Sequence, residues 1–385
     1  MDFRLDDDQR AFADMAQGLF GDFCGDEQLR AHDVSDAPFM EALWQECVKA
    51  GLHAMLIPED DGGLGLGLTE LAAVLEQQGR ALAQVPLWET QVAAAALARF
   101  VPAAERASVL AEVLAGQQML TLSLAALSAS RGAALRLRRE EAREGWQLDG
   151  QAPAVPLGAV AQQALLAAEA DDGSVRLVWL DLRQAAVGRV EGRSQHHQQV
   201  ADLVVTGLRL ADAAVLPAAA TRWVEQRAIA CAAALQLGVT QEQLRRTVAY
   251  VSERRQFDRV IGSFQMVAGQ MADGYIATEA LRSLLWQLAF RLDAGRDAQA
   301  QAYATRAQAN DLGHRAGHMA QHVHGGIGVD LTYPIHRFLY WSRAIGTALG
   351  GTEHHLAQLG DWLADHDTLG WKYDLPEDES HDATL

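Results

Sequence analysis

Ser252-Glu-Arg-Arg-Gln-Phe-Asp-Arg-Val-Ile-Gly-Ser-Phe-Gln265 is the stretch on which the reading of this chain turns. It lies between two helical patterns. From Ala218 the texture upstream is helical, and downstream Leu281, Leu284, Leu285, Leu288 and Leu292 form one apolar stripe on a helix that Gly295 ends. The stretch offers at Arg254 a planar guanidinium suited to paired phosphate oxygens, and at Gln265 an amide with both an acceptor and donors. Farther on comes His324-Gly-Gly-Ile-Gly328, followed by Tyr333-Pro334. Gly325, Gly326 and Gly328 let backbone N–H groups come close to a ligand because no Cβ intervenes. Taken singly, the first string also fits a charged helix face and the second a plain turn. Together they supply the kinds of donor that a pyrophosphate needs.

Outward from these strings the chain changes texture twice. Residues 1–117 read as an N-terminal α-helical domain, with loops at Asp33–Pro38 and Pro58–Gly67. Residues 118–217 read as a central β domain, a small sandwich or barrel. Leu120–Leu124 alternates there, Trp146–Gly150 resembles a strand entering a turn, and Asp171-Asp-Gly173 is a hairpin signal before Val175–Leu180. Residues 218–368 read as a C-terminal four-helix bundle and 369–385 as an acidic, solvated tail. The fold class is mostly α with a central β domain.

The 385 residues are 49% hydrophobic and 21% charged, an ordinary globular composition. Lys plus Arg number 32 against 50 Asp plus Glu, so the net charge is −18, a field that repels nucleic acid and anionic lipid. No apolar run reaches the roughly 18 residues that span a bilayer, and the N-terminus is acidic where a signal peptide is basic, so the expectation is a cytoplasmic protein with no membrane contact. Cys24, Cys47 and Cys231 stand far apart without CxxC spacing and read as buried free thiols.

The order α, β, α with these strings at its junctions resembles the acyl-CoA dehydrogenase family of flavoenzymes over nearly the whole chain. Asp8-Gln9-Arg10, Gly51-Leu-His-Ala-Met-Leu-Ile-Pro-Glu-Asp-Asp-Gly-Gly-Leu-Gly65 and Leu75-Glu-Gln-Gln-Gly-Arg80 resemble the family's N-terminal domain. The 252–265 string resembles the segment whose arginine and glutamine reach the FAD of a neighbouring subunit, and the glycine loop resembles the one beside the same cofactor. The resemblance implies an FAD-dependent oxidoreductase that introduces a 2,3-double bond into an acyl-CoA, with an electron-transfer flavoprotein as oxidant. It implies cofactor contacts at Arg254, Gln265, Gly325 and Gly326, with Phe257 packing beneath them and Thr352 at the adenosine end.

The sequence departs from the family where the chemistry needs a base. Removing the α-proton of a thioester takes a carboxylate opposite the flavin. The family's usual Tyr-Glu-Gly-Thr string is here Leu349-Gly-Gly-Thr352, so Gly350 stands where the glutamate would be. The second family location for the base, about ten residues before a glycine matching Gly238, falls on Ala228. Glu225 and Glu353 are the nearby carboxylates, each also readable as a surface or helix-start glutamate, and no catalytic residue is assigned. The family's Thr-Glu-Pro-x-Ala-Gly-Ser-Asp string is here Leu120-Thr-Leu-Ser-Leu-Ala-Ala-Leu-Ser-Ala-Ser130, and its aromatic-Ile-Thr string is Ala154-Val-Pro-Leu-Gly158.

The chain thus lacks the half of a flavin site that it would give itself and keeps the half that it would give a neighbour. Bacterial members acting on CoA thioesters of steroid and bile-acid side chains form α2β2 heterotetramers of this kind. The resemblance therefore implies the non-base-bearing subunit of such an enzyme in lipid or steroid catabolism. Two alternatives stand beside it: a complete homomeric enzyme with a relocated glutamate, and a non-enzymatic scaffold on the same fold. His314, His318 and His322 share a helix face, but the rise from first to last is about 12 Å, too far for one tetrahedral ion, and no metal is expected.

Overall fold

The first helix starts where the sequence supplies its own cap. Asp6 accepts from the Gln9 backbone N–H at 2.8 Å, while the Gln9 side chain accepts from the Asp6 N–H at 3.1 Å. In the computed structural model, which describes residues 5–128, 135–140 and 145–366, this opens α1 (Asp7–Phe23). Then follow α2 (Asp26–Asp33), α3 (Glu41–Lys49), α4 (Leu68–Ala81), α5 (Leu87–Phe100), α6 (Ala103–Leu114), β1 (Leu120–Ser123) and the short α7 (Ala125–Ser128). Next come β2 (Leu135–Arg139), β3 (Trp146–Pro156), β4 (Gln163–Ala170), β5 (Val175–Asp181), β6 (Val187–Arg193) and β7 (Gln199–Leu210). The chain finishes with α8 (Ala218–Glu253), β8 (Arg255–Gln256), β9 (Arg259–Val260), α9 (Gln265–Asp293), α10 (Gln299–His324), α11 (Ile335–Ala348) and α12 (Thr352–Asp365).

Two compact units divide these elements. One holds Arg30–Gly67 and Gln84–Ala228, and the other holds the chain up to Leu29, Leu68–Ala83 and everything from Ile229 on.

In the first of these units the central β domain is a seven-stranded mixed sheet in the order β1-β4-β2-β3-β7-β6, with β5 also paired to β4. The hairpin read at Asp171–Gly173 joins β4 to β5. Gly150 does not end a strand: β3 continues to Pro156, and the register shifts by a bulge between Leu148 and Gly150. The parallel pairing of β1 and β2 with β4 has no sequence signature. Leu137, Leu148, Leu166, Val178 and Leu203 are among the buried side chains of its core. Arg136, Arg138 and Arg139 of β2 each face a carboxylate, Glu169, Asp171 and Asp212, on a solvated face of a strand that lies between β4 and β3 and not at the sheet's edge; residues 141–144, beyond this strand, lie outside the described residues.

The other unit is helical. α4 and the second half of α8 pack backbone to backbone: a Cβ on Gly238 would lie 1.9 Å from the Glu76 carbonyl oxygen, and one on Gly79 would lie 2.1 Å from that of Leu235. Asp293, the last residue of α9, caps α4 by accepting from the Leu68 and Thr69 N–H groups at 2.7 and 3.0 Å. Arg282 of α9 pairs with the buried Glu76 of α4 at 3.0 Å. Cys24, Cys47 and Cys231 are buried and form no disulfide among the described residues. No helix among the described residues is long and apolar enough to cross a membrane.

Because backbone atoms cannot yield as a flexible side chain does, Gly238→Ala forces α4 and α8 apart. The expected loss is about 3 kcal/mol, at the upper end of ordinary overpacking. Urea unfolding of the variant checks it, and a midpoint indistinguishable from that of the parent chain contradicts the crossing.

Candidate functional site

The end of α8 is tied to the end of α10 by aromatic packing. Tyr250 stacks on His324 with ring centroids 4.2 Å apart, and Tyr333 meets both rings, at 6.5 and 5.5 Å. His324 is buried; its Nδ1 donates to the Ala320 carbonyl at 2.8 Å, and burial holds its pKa below the usual imidazole range despite that bond. Arg254 lies one turn beyond Tyr250 and Gly325 directly follows His324, so the two strings singled out in the sequence lie at the same end of the helices. An open cleft of about 500 Å³ runs alongside, lined by Arg246, Tyr250, Glu253 and Tyr333 among others. Arg246 is already committed, to Asp26 at 2.9 Å and to Glu242 at 2.8 Å.

The groups that could hold a phosphate are exposed and unspent. Among the described residues no carboxylate pairs with the Arg254 guanidinium, and the Gln265 amide, at the start of α9, has no partner. A Cβ on Gly325 or on Gly326 would meet nothing within 4 Å. Phe257 is 86% exposed and touches Phe264 edge-on at 6.2 Å. Thr352 opens α12 and is partly buried. A free guanidinium, a free amide and bare backbone at the surface fit a dinucleotide pyrophosphate brought to this chain from outside it.

Among the described residues the other half of such a site has nothing comparable. Leu120, Leu122 and Leu124 are buried, and the Thr121 hydroxyl is spent on the Pro156 carbonyl. Where β3 ends and its turn begins, over residues 154–158, Val155 and Leu157 are buried apolar residues. Ser130, at the end of the string compared with the family's flavin contact, lies outside the described residues. The donor set fits FAD in the part that a neighbour would use, and the described residues do not fit it in the part that the chain would use itself.

The loop that carries the family's base is a helix cap here. Gly350 sits at φ +88°, a conformation in which a glutamate is strained. Three side chains hold the end of α11: Arg306 donates to the Ile345 carbonyl, His355 Nε2 to Leu349 at 2.7 Å, and Asn310 Nδ2 to Gly350 at 3.1 Å. Arg306 is fully buried and its pKa is pushed down to about 9 by that burial; the partial negative charge of the α11 C-terminus favours its cation. Burial, then the Arg306 charge, pushes His355 down to about 4, leaving a neutral donor. Sequence reading missed this trio and the Tyr250–His324 stack. The available signals were Arg306 and Asn310 one turn apart on a small-residue helix, and a tyrosine one turn before Arg254.

Ala228, at the alternative base position, is completely buried. Glu353 is an exposed acid in the first turn of α12. Glu225 is different from the surface glutamate it reads as: it is partly buried, and burial pushes its pKa up to about 7 against the pull of Arg222. Glu89 of α5, in the same unit, is also raised to about 7 by burial, against its own backbone N–H and Gln198. Among the described residues no three His, Cys, Asp or Glu come together as a metal-holding group.

A carboxyl raised on folding keeps its proton in the folded chain after the unfolded chain has lost it. Glu225 therefore destabilises the fold progressively as pH rises from 4.5 towards 7, and fully above that. Glu225→Gln is expected to gain on the order of 2 kcal/mol at pH 8 and nothing at pH 4. Urea unfolding at the two pH values checks the sign, and equal gains contradict it.

Comparison with known proteins then places the chain. Residues 6–117 match the family description "Acyl-CoA dehydrogenase, N-terminal domain" and residues 216–364 match "Acyl-CoA dehydrogenase, C-terminal domain". Acyl-CoA dehydrogenase FadE27 of Mycobacterium tuberculosis is 33% identical over 377 residues, covering 95% of this chain and 99% of the relative. A chain of the ChsE4-ChsE5 complex from Mycobacterium tuberculosis superposes with a TM-score of 0.88 at 31% identity, covering 95% of this chain and 100% of that one. A chain of the Tcur3481-Tcur3483 steroid ACAD, solved as a variant, superposes with a TM-score of 0.86 at 34% identity, covering 93% and 98%. A helical start, a mixed sheet and a helical end, matched at both termini by family and along nearly the whole length by relatives, make this chain a member of the acyl-CoA dehydrogenase family.

Proposed function

We propose that this chain is the base-lacking subunit of a heteromeric, FAD-dependent acyl-CoA dehydrogenase, and that it completes an FAD site held mainly by a second, related subunit. The observation that carries this reading is Gly350, fixed at φ +88° by a capped helix end where the reaction needs a carboxylate. The exposed Arg254 and Gln265 support it from the other side: side-chain donors with no partner among the described residues suit a ligand in another chain. The relatives lend weight, since one belongs to a two-protein complex and another to a two-protein steroid ACAD.

FAD, when bound, accepts the hydride that leaves the β-carbon of the thioester. This chain's residues hold and orient. Arg254 would offer its guanidinium N–H donors to phosphate oxygens, Gln265 its amide, and Gly325 and Gly326 their exposed backbone. Thr352 serves the adenosine end. With Gly350 in place of a carboxylate, this chain leaves the α-proton to a base that the partner would supply, and an electron-transfer flavoprotein would be the electron acceptor. The kinship with a steroid ACAD makes a steroid side-chain CoA thioester the first substrate to try.

Glu225 favours a second reading, in which the chain is a complete homomeric enzyme with a relocated base, because a pKa near 7 suits a general base. Under that reading Glu225→Gln abolishes turnover of the lone chain.

Arg254→Ala, co-expressed with the partner subunit, tests the first reading. FAD affinity of the complex is expected to fall at least about tenfold, the worth of one charge-assisted pair, with the subunits still associated. Unchanged flavin affinity, measured by fluorescence on titration of the stripped complex, contradicts the assignment.

A further inference from the structure

We propose that Tyr250 is a positioning residue of the FAD site: its ring gathers both ends of the glycine loop and holds them in register with Arg254, so that arginine and loop meet one ligand as a single cradle. This role rests on the shared-site reading above and adds to it a residue that touches no cofactor.

The loop does not hold its own place relative to α8. From Gly325 to Thr332 every residue is exposed except Gly328. A stretch with so few buried contacts takes its position from whatever fixes its ends. Gly328 packs against Gln321, where a Cβ would lie 3.2 Å from the carbonyl oxygen, so it ties the loop back to α10 and not to α8.

Both ends of the loop are aromatic, and both meet Tyr250. His324, directly before the loop, stacks on the Tyr250 ring at 4.2 Å with 20° between the planes. Tyr333, directly after it, meets the same ring at 6.5 Å and His324 at 5.5 Å. Packed rings fix separation and angle together, so the loop is closed at its base on one side chain of α8. The Arg254 N–H in turn donates to the Tyr250 carbonyl at 2.9 Å. One residue thus holds the arginine through its backbone and the loop through its ring.

The contact is made by ring faces and not by charge. Neither the Tyr250 nor the Tyr333 hydroxyl has a hydrogen-bond partner among the described residues. His324 Nδ1 donates to the Ala320 carbonyl at 2.8 Å, which leaves Nε2 as a buried, unpartnered lone pair, and burial favours this neutral ring. The charged groups beside the stack, Asp26, Arg245, Arg246 and Glu253, line the neighbouring cleft. Arg246 is spent on Asp26 and Arg245 on Glu242. A cradle made of two separate elements binds only while its donors stand at the ligand's spacing, and a displacement on the order of 1 Å is costly.

The test titrates FAD, by flavin fluorescence, into the stripped complex of the full-length chain with its co-purified partner subunit. The parent is compared with Arg254→Ala, Tyr250→Leu, Tyr250→Phe, His324→Phe and the double variant of Arg254→Ala with Tyr250→Leu. Tyr250→Leu is expected to weaken FAD binding at least about tenfold, while Tyr250→Phe and His324→Phe, which keep a ring, stay within about twofold of the parent. Because Tyr250 acts by aligning Arg254 with the loop, the double variant falls short of the product of the two single losses by at least about threefold. Tyr333→Leu cuts the other end of the loop and is expected to weaken binding as Tyr250→Leu does, so the comparison stands where one of these chains does not assemble. Losses that multiply make Tyr250 an independent structural residue and overturn the role, as does a Tyr250→Leu complex that binds FAD like the parent. A Tyr250→Phe complex as weak as Tyr250→Leu makes the hydroxyl a direct ligand contact and also overturns it. So does FAD binding that tightens between pH 8 and pH 6 in the parent but not in His324→Phe, which makes His324 a charged contact. Arg254→Ala without effect overturns the shared FAD site itself, and the positioning role with it.

Discussion

Two helix backbones in van der Waals contact constrain the helical unit more tightly than any ion pair in it. With no Cβ at Gly79 or Gly238, α4 and α8 approach until carbonyl oxygens occupy the space a methyl group would need. That fixes the axis of α8, and everything of chemical interest in this unit hangs from its far end: the Tyr250 ring, the unpaired Arg254, and the hairpin that leads into Gln265. The stack of Tyr250 on the buried His324 then places the glycine loop at the same end. Rigid elements thus present donors for which the described residues supply no partner.

The loop at 349–352 completes this division of labour. In a base-bearing enzyme it must place a carboxylate at a reacting carbon. Here the Leu349 and Gly350 carbonyls are taken by His355 and Asn310, Arg306 holds the Ile345 carbonyl in the last turn of α11, and the loop's first glycine is held where a longer residue is strained. Restoring a glutamate by one substitution therefore meets the backbone as well as the missing surroundings. A chain built in this way is suited to supporting a neighbour's reaction, and the Leu120–Leu124 segment, with its leucines buried and its Thr121 hydroxyl already committed, is consistent with that role.

Much of the fold was legible because its signals are local. The leucine stripe from Leu281 to Leu292 and the turn at Asp171–Gly173 depend on residues close in sequence, and the helix and hairpin stand where those patterns put them. Gly150 misled because a glycine in a strand marks a bulge as readily as a turn, and only the partner strand decides which. Of the site, Arg254, Gln265 and the glycine loop were visible as residue types suited to phosphate. The Tyr250–His324 stack joins residues far apart in sequence, and the burial of Glu225 depends on neighbours that no string of letters names. Their contributions became apparent only in three dimensions.

The central claim is that the flavin site is shared between two different chains. Its most direct test is the visible absorption spectrum of this chain purified alone and after co-expression with a base-bearing second subunit of the same family. The account predicts no oxidised-flavin band in the lone chain and a stoichiometric band in the complex, bleached by an acyl-CoA. A lone chain that carries stoichiometric flavin and loses its colour on addition of an acyl-CoA would contradict it.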